Sequence, residues 1–231
     1  MLASKPVILP RTTVTAAATA HLREEIVAGG VKPGETLPES RMGELLGVSR
    51  APVREALTIL EREGLVAFDR RGTARVCGFG IEEVRELGFM RLALEPLAAR
   101  LVTERQPAAG LTAIEENLRA MQRADRIEDI TRLDLDFHRL IVAAAGNSRL
   151  IGAWGNLASQ FLLVMKRFHQ AWNQKTRAVR DTTIRAHTQL FRAIRSALPE
   201  EAEAVARRHA TGWLLELEQS NAFEANMEEA E

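Results

Sequence analysis

Three histidines and an aspartate in this chain of 231 residues fall on stripes that are otherwise apolar, and ionisable groups in such places need a reason. At helical spacing one stripe runs Ile130, Asp134, Phe137, His138, Ile141, Ala145. Asp134 and His138 are four apart and project to one side, whereas Asp136 takes the opposite face. A second stripe runs Ile184, His187, Phe191, Ile194, Leu198, and a third Ala202, Val205, His209, Trp213, Leu217. A lone histidine on such a face is usually a satisfied core residue. Four polar groups on three apolar faces need a shared partner, since each left unpaired would cost about 1–3 kcal/mol. Three imidazoles and one carboxylate, without a thiolate, suit a divalent metal such as Zn²⁺, Ni²⁺ or Mn²⁺, with positions left for water or a ligand oxygen. His169 is near in helix order but has no assigned place; His21 packs or is solvated.

Arg91 lies between Leu87 and Leu94 on an inward stripe, so it wants an anion. That anion is Glu95 or Asp134, or the carboxylate of a bound ligand held by both arms of the guanidinium. Thr183, one turn before His187, either turns its hydroxyl to the same cavity or bonds back to its own helix. A second kind of chemistry is marked by Arg50 and Arg54, which leave one face at the start of a helix while Val53, Leu57 and Leu60 face a core. Either they are surface arginines paired with Glu55 or Glu61, or they match the two acceptors of guanine in a major groove. Ser49 is placed to cap that helix and reach a phosphate, as is Arg41 on the helix before. Arg70, Arg71, Gly72 and Thr73 form the tip of a basic hairpin, either a solvated loop or a wing against DNA.

The elements that must position these groups are mainly helical. The composition is 46% hydrophobic with 5% aromatic residues and no tyrosine, which favours helices over a β-sandwich or barrel. No apolar run approaches the ~18 residues of a spanning helix, and Met1 to Arg11 lack the core of a signal peptide. Cys77 is the single cysteine, so an intramolecular disulfide and a thiolate metal cluster are excluded, and the cytoplasm is the expected compartment. The 31 basic residues equal the 31 acidic ones, so any DNA binding must come from local placement of arginines. The acidic end at Met227 to Glu231 reads as a solvated terminus.

Glycine and proline are dense to residue 80 and sparse after it. Up to that point the spacing predicts helices over Thr15 to Ala28, Ser40 to Leu46 and Arg50 to Glu63, then strands Leu65–Phe68 and Ala74–Val76 around the basic hairpin. This is a winged helix-turn-helix order. From Ile81 six helices follow, with breaks near Pro107–Gly110, Ala124-Asp125, Gly146-Asn147, Trp172-Asn173 and Leu198-Pro199; they pack as an antiparallel six-helix bundle. The expected domains are 10–77, the reader, and 82–220, the bundle.

Pro33 to Leu37, Leu46 to Leu57 (LGVSRAPVREAL) and Glu63 to Val66 together resemble the winged helix-turn-helix of GntR-type transcription regulators. The resemblance implies DNA contacts by Arg41, Ser49, Arg50, Arg54 and the wing, residues 70–73. The motif DLDFHRLIVAAAGN, Asp134 to Asn147, resembles the FCD effector-binding domain. That resemblance implies a metal held at Asp134, His138, His187 and His209, with a small organic or sugar acid beside it. One departure is Ala186, where that family often has glutamate before the histidine. The chain is therefore expected to be a ligand-responsive regulator that binds a palindromic operator as a homodimer, not an enzyme. The rival readings are a purely structural metal and a metal-dependent hydrolase, the latter lacking an identifiable general base.

Overall fold

A computed structural model describes residues 11–171 and 176–218. The chain divides into two compact units, Met1–Gly78 and Phe79–Glu231. Outside the described residues lie the segment from Met1 to Pro10, the break expected near Trp172-Asn173 and the acidic end; the side chain of Leu217 is likewise not described.

In the first unit, α1 (Arg11–Ala28) buries Ala18, Leu22 and Ile26. The helix stops at Gly29, whose φ of 81° suits only a residue without Cβ strain, and the Gly30 N–H closes back on the Glu25 carbonyl. α2 (Glu39–Leu46) and α3 (Arg50–Arg62) follow. Val53, Ala56, Leu57 and Leu60 form the inner face of α3 and complete a core with the α1 stripe. Each buried leucine or isoleucine contributes about 1.5–3 kcal/mol. Arg23 of α1 holds Glu63 at the end of α3 with two hydrogen bonds, one of 2.7 Å. The turn between α2 and α3 is tight because Gly43 has no side chain: a Cβ there would lie 2.8 Å from the Val48 carbonyl oxygen.

The hairpin β2 (Val66–Phe68) and β3 (Ala74–Val76) stands where the alternation placed it. A third strand was not foreseen. β1 (Thr36–Leu37) pairs antiparallel with β3, giving the order β1-β3-β2. Two residues are too short for a period-2 signal, so only the tertiary pairing defines the strand.

The second unit has seven helices among its described residues, one more than the spacing predicts. They are α4 (Ile81–Arg105), α5 (Ala108–Arg123), α6 (Ile127–Ala144), α7 (Ser148–Gly155), α8 (Ala158–Ala171), α9 (Thr176–Arg195) and α10 (Pro199–Glu218). The extra break falls at Asn156-Leu157, inside a segment read as one helix. Asn147 starts α7, its side-chain oxygen accepting the N–H groups of Arg149 and Leu150 at 3.1 Å. α4 runs antiparallel to α10, as the pairs Arg85 with Glu218 and Arg100 with Glu203 require. Against this pair pack the buried faces of α6 and α9. The α6 stripe is enclosed throughout, from Ile130 to Ala145. The α9 stripe is enclosed only from His187 to Ile194: Ile184 is half-buried and Leu198, expected inside, is exposed beyond the helix end. No helix among the described residues is long and apolar enough to cross a membrane.

Candidate metal centre and nucleic-acid interface

The three apolar stripes bring their polar groups to one point. α6 presents Asp134 and His138 one turn apart, α9 presents His187, and α10 presents His209. The Nε2 of His138 lies 3.1 Å from that of His187 and 3.4 Å from that of His209. Asp134 Oδ1 lies 3.0 Å from His187 Nε2 and 3.6 Å from His138 Nε2. Donor atoms about 2.0–2.1 Å from one divalent ion stand about 2.9 Å apart at octahedral angles and about 3.3 Å apart at tetrahedral ones. The adjoining separations of 3.0–3.6 Å lie close to those values, and His138, His187 and His209 form a group able to hold a divalent metal, with Asp134 next to His187 and His138. Asp134, His138 and His187 are buried and His209 is partly exposed. Asp136 is elsewhere, bonded to Arg139 at 2.9 Å.

The other ring nitrogens fix how the imidazoles face. His187 Nδ1 lies 2.7 Å from the Thr183 carbonyl oxygen, which only accepts, so this nitrogen carries the hydrogen and Nε2 faces the centre. His138 Nδ1 lies 3.0 Å from Glu95 Oε2. Glu95 on α4 is buried and takes Arg91 on both oxygens, Nε to Oε1 at 2.9 Å and Nη2 to Oε2 at 3.1 Å. Trp154 Nε1 donates to Oε1 at 3.3 Å. Glu95 is therefore the anion that Arg91 needed, and the Arg91 guanidinium also stacks 4.3 Å from the Trp213 ring centre. The spacing alone had paired Glu95 with Arg91 as one option; it carried no signal for the contact with His138, 43 positions away.

The electrostatics follow from this crowding. Burial works to raise the Asp134 carboxyl, but the neighbouring His187 and His138 imidazoles hold it well below the usual carboxylate range. Burial lowers His138 and the Arg91 charge adds to that, while Glu95 and Asp134 raise it, and the carboxylates win. Burial drives His209 well below the usual histidine value, with His187 and His138 adding to the effect. It also lowers His169, whose Nδ1 is 2.7 Å from the Thr131 hydroxyl and whose Nε2 is 3.7 Å from Asp134 Oδ2. His169 thus borders the centre without joining the three clustered histidines. Beside them is a cavity of 390 Å³, lined among others by Arg91, His169, Thr183, Arg208 and Trp213.

The first unit presents a different surface. Arg41, Arg50 and Arg54 are exposed, and Arg54 comes only within 3.8 Å of Glu39, not of Glu55 or Glu61. Glu55 instead accepts a hydrogen bond from the Thr15 hydroxyl. Ser49 occupies the position before α3 in extended backbone, but its side chain makes no capping bond, so the expected cap is positional only. At the hairpin tip Arg70, Arg71 and Gly72 are exposed and Thr73 half-buried. Asp69 shapes this tip by accepting the N–H groups of Arg71 and Thr73 at 2.9 Å, and the Thr73 bond lowers its carboxyl. Gly72, at φ 76°, makes the turn. His21 is exposed.

Comparison with known proteins adds the following. Residues 14–76 match the gntR family of bacterial regulatory proteins, and residues 86–212 match the FCD domain. The chain is 35% identical over 134 residues to the uncharacterized HTH-type transcriptional regulator YdhC of Bacillus subtilis, covering 56% of this chain and 60% of that protein. It is 32% identical over 165 residues to the gluconate operon transcriptional repressor of the same organism, 68% of each chain. The solved structure of E. coli McbR/YncC shares the fold, with a TM-score of 0.72 at 21% identity over 92% of this chain and 99% of that one.

Proposed function

Because the chain belongs to the GntR family of DNA-binding transcriptional regulators and carries an FCD domain, we propose that it is a cytoplasmic, metal-containing sensor of a small organic or sugar acid. Its relatives are transcriptional regulators, not enzymes. The observation that carries the sensor reading is the cluster of His138, His187 and His209, with Asp134 Oδ1 3.0 Å from His187 Nε2, beside a cavity of 390 Å³. A metal that served only as a staple would need no cavity at its side. The similarity to a gluconate operon repressor supports an acid as the effector class.

In this reading the reader is residues 10–77 and the sensor residues 82–220. A divalent metal supplies an electrophilic anchor for a carboxylate oxygen. Asp134 and the three imidazoles hold the ion, His187 being aimed by the Thr183 carbonyl. Arg91 and Thr183 border the space the acid occupies, although Arg91 is already engaged by Glu95. Arg50 and Arg54 read base edges in the major groove, Ser49 and Arg41 contact phosphates, and residues 70–73 follow the backbone as a wing. One such helix reads few base pairs, so a homodimer on a palindromic operator supplies the specificity. Effector binding then shifts the equilibrium between arrangements of the two readers by binding one more tightly than the other.

The experiment is elemental analysis of the purified protein, followed by operator binding with and without a panel of carboxylic and sugar acids. Bound divalent metal, and an acid that changes operator affinity only in metal-loaded protein, is the expected result. Metal-loaded protein that responds to no acid would put the structural-metal reading ahead, and metal-free protein that responds fully would remove the metal from sensing.

A further inference from the structure

We propose that Glu95 is a positioning residue for the metal centre: by accepting the Nδ1–H of His138 it turns the bare Nε2 of that ring toward His187, His209 and Asp134. The inference rests on the metal reading above and assigns a role to a residue outside the ligand set.

The geometry carries it. Glu95 Oε2 lies 3.0 Å from His138 Nδ1, and a carboxylate that receives two guanidinium N–H bonds and an indole N–H can only accept. In the neutral ring that a metal ligand requires, the hydrogen on His138 then sits on Nδ1 and the lone pair that binds metal on Nε2. His187 uses the same device with a backbone acceptor, the Thr183 carbonyl at 2.7 Å. A backbone carbonyl one turn away is available to any helical residue, but His138 Nδ1 meets α4 instead, where Glu95 Oε2 lies 3.0 Å away.

Arg91 supports the arrangement in two ways. It holds the Glu95 carboxylate by both oxygens where solvent is absent, since Glu95 is 4% exposed and Arg91 2%. Its Nη2 is also 2.9 Å from His138 Nε2 and 3.3 Å from Nδ1. An atom on the outward axis of the Nε2 lone pair would be far more distant from Nδ1, so Arg91 lies over the ring and leaves that lone pair to the centre. The cation on the inward stripe of α4 thus acts on the metal through Glu95.

The test uses the full chain and Zn²⁺ as probe. In Glu95→Gln the amide can donate to Nδ1 and move the ring hydrogen to Nε2, which blocks coordination. The dissociation constant for Zn²⁺ should rise about 10- to 100-fold, as for other groups that orient a metal-bound histidine. Nitrogen-15 NMR of Zn²⁺-loaded protein reports the orientation itself: wild type should show a protected, downfield His138 Nδ1–H, absent or shifted upfield in the variant. Arg91→Met/Glu95→Gln removes the buried cation that the single substitution leaves alone, and should show the same loss of affinity if the single variant does not fold. Equal affinity and an unchanged Nδ1–H in either folded variant overturns the role of Glu95, as does an exposed, fast-exchanging Nδ1–H in wild type. Wild type that binds no Zn²⁺ overturns the metal reading itself.

Discussion

Replacing Arg91 with methionine is the perturbation whose cost the structure defines most closely. Methionine follows the stem of arginine but leaves Glu95, 4% exposed, without its two guanidinium bonds of 2.9 and 3.1 Å. His138 Nδ1 and Trp154 Nε1 remain as donors, but neither carries the permanent charge that balances the carboxylate. Breaking one half of a buried pair costs about 3–5 kcal/mol, because the surviving charge stays in a medium that solvates it poorly. Loss of the guanidinium over Trp213, 4.3 Å from its ring centre, adds up to about 2 kcal/mol. Removing both charges, as Arg91→Met/Glu95→Gln, should return most of the stability, since the double variant leaves no uncompensated ion. The assay is urea unfolding followed by tryptophan fluorescence. Trp154, Trp172 and Trp213 all lie after residue 78, so the signal reports the second unit alone. A single variant that loses less than about 1 kcal/mol, or a double variant that is less stable than the single, would refute the argument that this pair is a desolvated, mutually dependent one.

Three further outcomes are expected. His187→Ala or His209→Ala should lower divalent-metal affinity at least about 10-fold because a ligand is lost, while Asp136→Ala, whose carboxylate faces Arg139, should keep wild-type metal content after dialysis as read by elemental analysis. Arg50→Ala and Arg54→Ala should each weaken operator binding by about 1–3 kcal/mol in a gel-shift titration at fixed salt without changing metal content, and unchanged affinity in both would displace α3 as the recognition helix. Gly43→Val should cost the first unit about 1–3 kcal/mol, because a Cβ there meets the Val48 carbonyl oxygen at 2.8 Å; faster hydrogen exchange in α2 and α3, with α4 to α10 unaffected, is the measurement.

The parts of the fold legible in the chain were those with local causes. The periodicity of Val53, Leu57 and Leu60, the stop at Gly29 and the alternation around Gly72 are set within a few residues, and α1, α3 and the hairpin appear where those signals lie. The break between α7 and α8 follows the Gly155-Asn156 pair, the same stop signal as Gly146-Asn147, and lies only eight residues after α7 begins, where an apolar run of Leu150, Ile151 and Trp154 continues toward Phe161; β1 is hidden because a two-residue strand exists only through its partner.

At the candidate centre the same division holds. Helical spacing by itself determined that Asp134 and His138 share a face and that His187 and His209 belong to inward stripes, since a period of 3.6 residues requires no knowledge of neighbours. Which inward groups meet was decided only by packing. Arg91 had two internal anions and an external one open to it, and the crossing of α4 with α6 brought Glu95 within 3.0 Å of His138 while Glu95 held Arg91. Such a choice depends on interhelical distances of a few ångströms, where hydrogen-bond and charge energies change steeply, and no local pattern in the chain encodes those distances.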